Sequence, residues 1–336
     1  MITVERFIDP GHAFDNPATI GMAAGIAGLL VLASMLIAGL QFAGRLSPEL
    51  YRELRQRFMT WVVLFVVSMV FILTGPGTTI LRGLVLCLLC YREYARATGI
   101  FREIALNVVV VTGIVVVHFA ALDNYYRLFV AAWPLTTSTI VATALIPDRP
   151  QGYIQRVALA LLGFIMFGMW LGHFAFMANS SDYRPILLWL LIGVEFNDVA
   201  AYLCGRLFGR RKLCPNTSPN KTVAGAVGAV LITTPLVTWI GHFVFLGQPL
   251  DTLWSLAAMG LAFSILGQYG DLMLSSIKRD LGIKDMAATL PGHGGLLDRF
   301  DSILLVVPVV FHFINYVQGI APGMPQNLIT GPLGNA

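Results

Sequence analysis

The sequence predicts an all-α, polytopic integral membrane protein, a bundle of about nine to ten transmembrane helices. Three observations support this fold class. The 336 residues are 57% hydrophobic and only 12% charged, the mean hydropathy is +0.75, and the apolar residues fall in runs of about 20, the length that crosses a bilayer as a helix. The net charge of +4 is small, so nucleic acid is not expected as a partner.

Ten apolar windows are candidate spans, separated by short polar segments. The third window is short and contains Arg82, which makes it the weakest of the ten. The windows are 18–42, 59–75, 79–90, 104–122, 128–146, 157–177, 186–208, 223–247, 252–270 and 302–321.

The chain divides into three regions. Residues 1–17 form a polar tail whose acidic character does not fit a signal peptide. Residues 18–150 hold N-terminal transmembrane helices, and 151–336 hold a C-terminal transmembrane catalytic region. Within the first helical region, 47–58 is expected to be a short surface helix with Pro48 in its first turn, its arginines contacting anionic membrane lipids.

Basic residues predict the orientation. With the N-terminus outside, the five cytoplasmic segments 43–58, 91–103, 147–156, 206–222 and 271–301 carry 18 of the 22 Lys and Arg residues. Basic residues concentrate on the cytoplasmic side of membrane proteins. We therefore expect a multi-pass protein of the cell (inner) membrane whose long polar loops face the cytoplasm.

Ionisable side chains inside apolar windows mark a candidate site, because they are costly at membrane depth. Glu195, Asp198 and Tyr202 are spaced i, i+3 and i+7, so they share one helical face. Asp271 follows the ninth window directly. A structural role for Glu195 and Asp198 as a buried polar pair is the alternative.

The loop 275–301 combines carboxylates, cations and glycines. Hard cations such as Mg²⁺ take carboxylate oxygens, whereas phosphate oxygens take ammonium and guanidinium donors. Glycines let the backbone approach a phosphate closely. The loop therefore predicts a site for a divalent ion and a polyphosphate, and Asp271 at its start would join it. The acidic and basic residues of the loop that are assigned to this site are Asp285, Asp298, Asp301, Lys278, Arg279, Lys284 and Arg299.

A second basic loop, 206–222, lies on the same predicted face. Its Ser218 and Lys221 are candidates for contacting the nucleotide or the lipid phosphate. The basic run 206–212, taken alone, is better explained by membrane topology and lipid contact than by a substrate site. Cys87 and Cys90 have the spacing of metal ligands, but they lie in an apolar stretch without further ligands and are expected to pack in the core.

The loop also carries a dense pattern of specific residues: Ser275-x-Ile-Lys278-Arg279-x4-Lys284-Asp285-x-Ala-x2-Leu-Pro-x-His293-Gly294-Gly295-Leu-x-Asp298-Arg299-Phe-Asp301. This pattern resembles the signature of the phosphatidate cytidylyltransferases, also called CDP-diacylglycerol synthases. Upstream, Asp198-x3-Tyr202-x2-Gly-Arg and Ser218-Pro-x-Lys221-Thr are similar to other stretches of that family.

The resemblance implies transfer of a cytidylyl group from CTP to phosphatidate, giving CDP-diacylglycerol and pyrophosphate in phospholipid biosynthesis, by a nucleotidyltransferase that is a homodimer. It implies Mg²⁺ with K⁺ as a second ion. The expected metal ligands are Asp271 and Asp298, with Asp301 and Asp285 as further ligands. The expected catalytic residues are Asp271, Asp298, Asp301 and Lys278. Substrate contacts are expected from Lys278, Arg279, Lys284, Arg299, His293, Gly294, Gly295, Ser218, Lys221, Asp198 and Tyr202.

Other functions compete with this reading. The same chemistry on a different phospholipid acceptor, such as an ether lipid, is one of them. A transporter is a second, although no paired half-sequences with interrupted helices are found. The CDP-alcohol phosphotransferases require an Asp-Gly-x2-Ala-Arg element, and this chain contains no Asp-Gly dipeptide.

Overall fold

The computed structural model describes residues 4–290, 294–319 and 327–331. Within them the chain forms twelve α-helices and one two-stranded hairpin, which confirms the all-α prediction. The helices are α1 (Val4–Phe7), α2 (Pro17–Phe42), α3 (Pro48–Thr74), α4 (Pro76–Thr98), α5 (Ile104–Leu122), α6 (Tyr126–Thr143), α7 (Tyr153–Phe164), α8 (Leu171–Met177), α9 (Tyr183–Phe208), α10 (Val223–Val244), α11 (Leu253–Asp280) and α12 (Ile303–Gln318). The strands β1 (Lys212–Cys214) and β2 (Ser218–Thr222) pair antiparallel.

Each of the ten predicted windows coincides with helical structure between α2 and α12. The sixth window holds both α7 and α8, because a π-helical segment, Ile165–Trp170, joins them. Six of these helical spans are long and apolar enough to cross a membrane by length and composition. The chain is therefore a multi-pass membrane protein, as predicted.

One predicted element is wrong. Segment 47–58 is not a separate surface helix, because α3 runs without a break from Pro48 to Thr74. The Ser47 side chain caps its start by accepting a hydrogen bond from the Leu50 amide at 3.2 Å. No glycine or proline interrupts the helix where polar sequence gives way to apolar sequence. The polar first turns, which contain Arg52 and Arg55, are therefore part of the same helix as the apolar sequence that follows.

Helices α9, α10 and α11 pack closely against one another. Gly260 of α11 lies so close to α10 that a β-carbon there would be 2.6 Å from the Thr234 carbonyl oxygen. Small residues permit such approaches between membrane helices. The Asn197 and Ser264 side chains hydrogen-bond at 2.7 Å between α9 and α11. This contact fixes the helices that carry the site.

Helix α4 belongs to the core, unlike α2 and α3, in whose apolar windows only 6% and 12% of the residues are buried. Its Tyr91 and Tyr94 rings contact Phe167 of the π-helical segment. Cys87 and Cys90 are buried beside them, which confirms that these cysteines pack in the core. The site-facing end of α4 is therefore rigidly held.

The two ends of the bundle differ. At one, called the tail end, Arg6 donates to the Leu122 carbonyl and to Asn179, and Arg184 donates to the Asp9 carbonyl. The opposite, called the site end, gathers four of the predicted cytoplasmic segments. There Arg149 pairs with Glu103 at 3.4 Å, which joins 91–103 to 147–156, and Arg279 donates to the Thr217 carbonyl, which joins 206–222 to 271–301.

Candidate active site

A cavity of about 590 Å³ opens at the site end. Its wall comes from α9, the hairpin, the first turn of α10, α11 and the loop that precedes α12. This volume is typical of a small-molecule site. Nine of the predicted site residues lie on the wall: Asp198, Tyr202, Lys221, Asp271, Lys278, Asp285, Asp298, Arg299 and Asp301.

Asp271 lies in the C-terminal half of α11, where it faces the hairpin. The Lys221 ammonium of β2 pairs with its Oδ2 at 2.7 Å, and the Ser275 hydroxyl, one helical turn on, donates to Oδ1 at 3.1 Å. Both charged side chains are partly open to the cavity, at 28% and 23% exposure. An incoming anion or cation can therefore reach either partner.

Asp298 lies in the 3₁₀ turn Leu297–Arg299, on the cavity wall, and its carboxylate is held by several neighbouring groups. The Lys278 ammonium of α11 pairs with Oδ1 at 2.7 Å. The amides of Met286 and Gly295 donate to Oδ2 at 2.9 and 3.0 Å. The carboxylate is only 2% exposed, and a buried charge of this kind is stable only when it is paired and hydrogen-bonded.

Asp301 and Asp198 meet through Ser302. The Ser302 amide donates to Asp301 Oδ1 at 2.8 Å, and its hydroxyl donates to Asp198 Oδ2 at 3.0 Å. Burial raises the pKa of Asp301 well above its usual value, and the charges of Asp271 and Asp198 raise it further. Three carboxylates from three segments of the chain thus converge at one place and repel each other.

The donor set at this place suits a hard cation. In the part of the chain that the structure describes, no three His, Cys, Asp or Glu side chains already stand as a preformed metal site. The carboxylates of Asp198, Asp271 and Asp301 nevertheless supply the oxygen ligands that Mg²⁺ prefers. A bound cation would relieve the repulsion between these carboxylates. The residues present therefore fit a Mg²⁺ ion.

The remaining predicted residues lie off the described wall. Arg279 donates to the carbonyls of Thr217 and Ile283 at 3.3 and 3.2 Å, and Lys284 is exposed beside it. Ser218 begins β2. His293 lies outside the described residues, and Glu195 lies on α9 but not on the cavity wall.

Gly294 and Gly295 shape the loop behind the wall. Gly294 has a φ of +80°, a left-handed conformation that favours glycine. A β-carbon at Gly295 would lie 2.7 Å from Glu93 Oε2 and 3.0 Å from Asp298 Oδ2. No larger residue fits between these two carboxylates.

Two residues at the site, Glu93 and Ser302, are absent from the sequence-based prediction. Glu93 of α4 accepts hydrogen bonds from the amides of Leu296 and Leu297. Its signal in the sequence is slight: an acid beside two tyrosines that turn out to be buried. Ser302 is uncharged, whereas most of the predicted site residues are charged, so nothing in the sequence marks it.

Comparison with known proteins gives consistent results. Residues 55–317 match the model of the cytidylyltransferase family. Phosphatidate cytidylyltransferase of Staphylococcus haemolyticus is 29% identical over 265 residues, 76% of this chain and 97% of that protein. The same-named protein of Staphylococcus aureus strain COL is 33% identical over 176 residues, 52% of this chain and 66% of its own. Uncharacterized protein YnbB of Escherichia coli K12 is 34% identical over 295 residues, 86% and 95% of the two chains.

Proposed function

The chain belongs to the cytidylyltransferase family, and we propose that it transfers the cytidylyl group of CTP to phosphatidate, giving CDP-diacylglycerol and pyrophosphate. The observation that carries the proposal is the cavity at the site end. There, carboxylates and cations from distant parts of a membrane-embedded chain line one space. Phosphatidate has a charged phosphate headgroup and acyl chains that stay in the bilayer, which suits a polar cavity at the end of a membrane helix bundle.

The reaction is an in-line displacement at the α-phosphorus of CTP. A phosphate oxygen of the lipid forms the new oxygen–phosphorus bond, the bond between the α-phosphorus and its bridging oxygen breaks, and pyrophosphate leaves with that electron pair. The nucleophile is already an anion, so little proton transfer is needed. Catalysis then depends on positioning and on charge neutralisation.

The cations of the site have separate tasks in this proposal. Lys221 and Arg299 lie on the wall, where they would bind phosphate oxygens of CTP or of the lipid. Lys278 holds Asp298 and would contribute positive charge to the triphosphate. Arg279 and Lys284, at the edge of the hairpin and the loop, would stabilise the departing pyrophosphate.

We infer that the aspartates hold Mg²⁺, with K⁺ as the second ion. Asp198, Asp271 and Asp301 are the strongest candidates for ligands, with Asp298 and Asp285 on the same wall. When bound, the ion would neutralise charge on the triphosphate. The repulsion between Asp271, Asp198 and Asp301 supports this inference.

We also propose that the site end faces the cytoplasm. The predicted cytoplasmic segments that gather there carry most of the chain's basic residues, which supports this orientation. The same basic residues would attract anionic lipids such as phosphatidate. The homodimer implied by the sequence resemblance stays a prediction.

The test is an acceptor screen with purified protein, α-labelled CTP, Mg²⁺ and K⁺, read as label in lipid and as released pyrophosphate. Diacyl phosphatidate is expected to be labelled, with one pyrophosphate released per lipid formed. Labelling of an ether-linked acceptor alone would assign a different lipid to the same chemistry. Pyrophosphate-free uptake of a solute into proteoliposomes, with no labelled lipid, would contradict the proposal.

A further inference from the structure

Glu93 joins the N-terminal half of the bundle to the loop that carries Asp298. It lies on α4, is buried at 7% exposure, and is 203 and 204 residues from Leu296 and Leu297 of that loop. The backbone around it is rigid, because Tyr94 donates to the Leu159 carbonyl at 3.0 Å and Tyr91 donates to Asn107 at 2.7 Å. Its carboxylate therefore stands at a fixed point in the core.

Both carboxylate oxygens of Glu93 accept hydrogen bonds from the loop. Oε1 accepts from the Thr289 hydroxyl at 2.5 Å and from the Leu296 amide at 3.0 Å, and Oε2 accepts from the Leu297 amide at 2.9 Å. These two amides open the 3₁₀ turn that carries Asp298. Amides at the start of such a turn have no partner within it, so a carboxylate there fixes its position.

The position of the turn decides where Asp298 points. Asp298 Oδ2 depends on the amides of Gly295 and Met286, and Gly295 is the residue directly before the two amides that Glu93 holds. Both carboxylates lie close to Gly295, since a β-carbon there would be 2.7 Å from Glu93 Oε2 and 3.0 Å from Asp298 Oδ2. Displacement of the turn would break the hydrogen bonds from Gly295 and Met286 to Asp298. It would also move Asp298 away from Lys278.

We propose that Glu93 is a positioning residue for the cytidylyl transfer, one that acts through the loop and not through contact with substrate. This inference rests on the proposed function, since it assigns a role within that reaction. Glu93 is not among the residues that line the cavity. Its effect on catalysis would be transmitted by the backbone of Leu296 and Leu297.

Glu93→Gln tests the proposal, since glutamine keeps the shape but presents only one accepting oxygen in place of two. We expect kcat to fall by about 10- to 100-fold, the usual cost of losing a group that orients a metal ligand. The KM for CTP is expected to stay within about threefold, because substrate contacts are retained. Glu103→Gln is the matched control, since Glu103 lies at the same end of the bundle but pairs with Arg149 outside the site.

Hydrogen–deuterium exchange of the substrate-free protein gives a second reading. In Glu93→Gln, the amides of Leu296 and Leu297 are expected to exchange about tenfold faster, while α11 stays protected. Unchanged exchange, or normal kcat with faster exchange, would overturn the proposal. Because this measurement needs no substrate, a wrong acceptor lipid and a wrong role for Glu93 give different results.

A second variant covers the case in which Glu93→Gln does not fold. Thr289→Val removes one of the three donors and leaves the carboxylate in place. We expect a several-fold loss of kcat with an unfolding temperature close to that of the unmodified protein. Full activity in Thr289→Val, together with unchanged exchange at Leu296 and Leu297, would also overturn the proposal.

Discussion

At the residue scale, two lysine–aspartate pairs of equal length differ in their surroundings. Lys278 and Asp298 are buried, whereas Lys221 and Asp271 are partly open, and each pair is 2.7 Å long. Removing one partner of a buried pair leaves an uncompensated charge, which costs far more than losing an exposed pair. The buried pair therefore stabilises the site, and the open pair is accessible to substrate.

Lys278→Met should show this difference. We expect a loss of about 3–5 kcal/mol in the free energy of unfolding and a fall in kcat of about 100-fold or more. Thermal unfolding in detergent and CTP turnover measure the two effects. Arg149→Met, which breaks an exposed ion pair at the same end, should cost no more than about 1 kcal/mol. Equal unfolding temperatures for the two variants would contradict the interpretation.

Asp271→Asn tests the open pair. Asparagine cannot supply the charge that a cation needs, so turnover should fall by about 100-fold, with a higher Mg²⁺ concentration for half-maximal activity. Asp280→Asn is the matched control, because Asp280 ends the same helix, is exposed and does not line the cavity. Normal Mg²⁺ dependence in Asp271→Asn would remove this residue from the metal site.

The identities of many site residues could be predicted from sequence, but their pairings could not. Asp271 and Lys221 are 50 residues apart, and nothing in their spacing indicates that a hairpin brings them together. Glu93 was missed for a physical reason. A single carboxylate at the end of an apolar helix looks like an ordinary interfacial residue until the amides that it accepts from are seen.

At the element scale, α11 packs closely against the loop that precedes α12. A β-carbon at Gly270 would lie 2.5 Å from the Asp301 carbonyl oxygen and 3.1 Å from that of Ser302. Both obstacles are backbone atoms, which cannot move aside as a flexible side chain can. Gly270 therefore allows Asp271 and Asp301 to approach each other.

Gly270→Ala should separate the two segments. Overpacking of this kind costs about 1–3 kcal/mol, and we expect turnover to fall by more than the loss of folded protein explains. Unfolding temperature and kcat per folded molecule separate the two effects. Gly25→Ala in α2 is the control, because nothing lies within 4 Å of a β-carbon there. An unchanged kcat for Gly270→Ala would show that the approach is not required.

The helices themselves were well predicted, because a bilayer demands runs of about 20 apolar residues and leaves few alternatives. The boundaries of α3, α4 and α11 were less accurate. In each, the helix continues into polar sequence beyond the apolar window. Hydropathy records where the hydrocarbon ends, whereas the helix ends only where its backbone hydrogen bonds end.

At the scale of the whole molecule, the orientation in the membrane is open to a direct test. Ser181 is exposed between α8 and α9 at the tail end, and Asn216 is exposed in the turn of the hairpin at the site end. We expect a membrane-impermeant maleimide to label Ser181→Cys in intact cells, and Asn216→Cys only after permeabilisation. The Cys214→Ser background removes the one native cysteine that is not buried. The reverse pattern would place the site outside.

The fastened N-terminal segment at the tail end bears on how the products leave. Arg6 and Arg184 bind backbone carbonyls there, and every described residue that lines the cavity belongs to the opposite end. Among the described residues, none at the tail end lines the cavity, so we expect the cavity to open only at the site end. We expect pyrophosphate to leave through the opening by which CTP enters. A membrane that contains the protein should therefore keep its proton gradient during turnover.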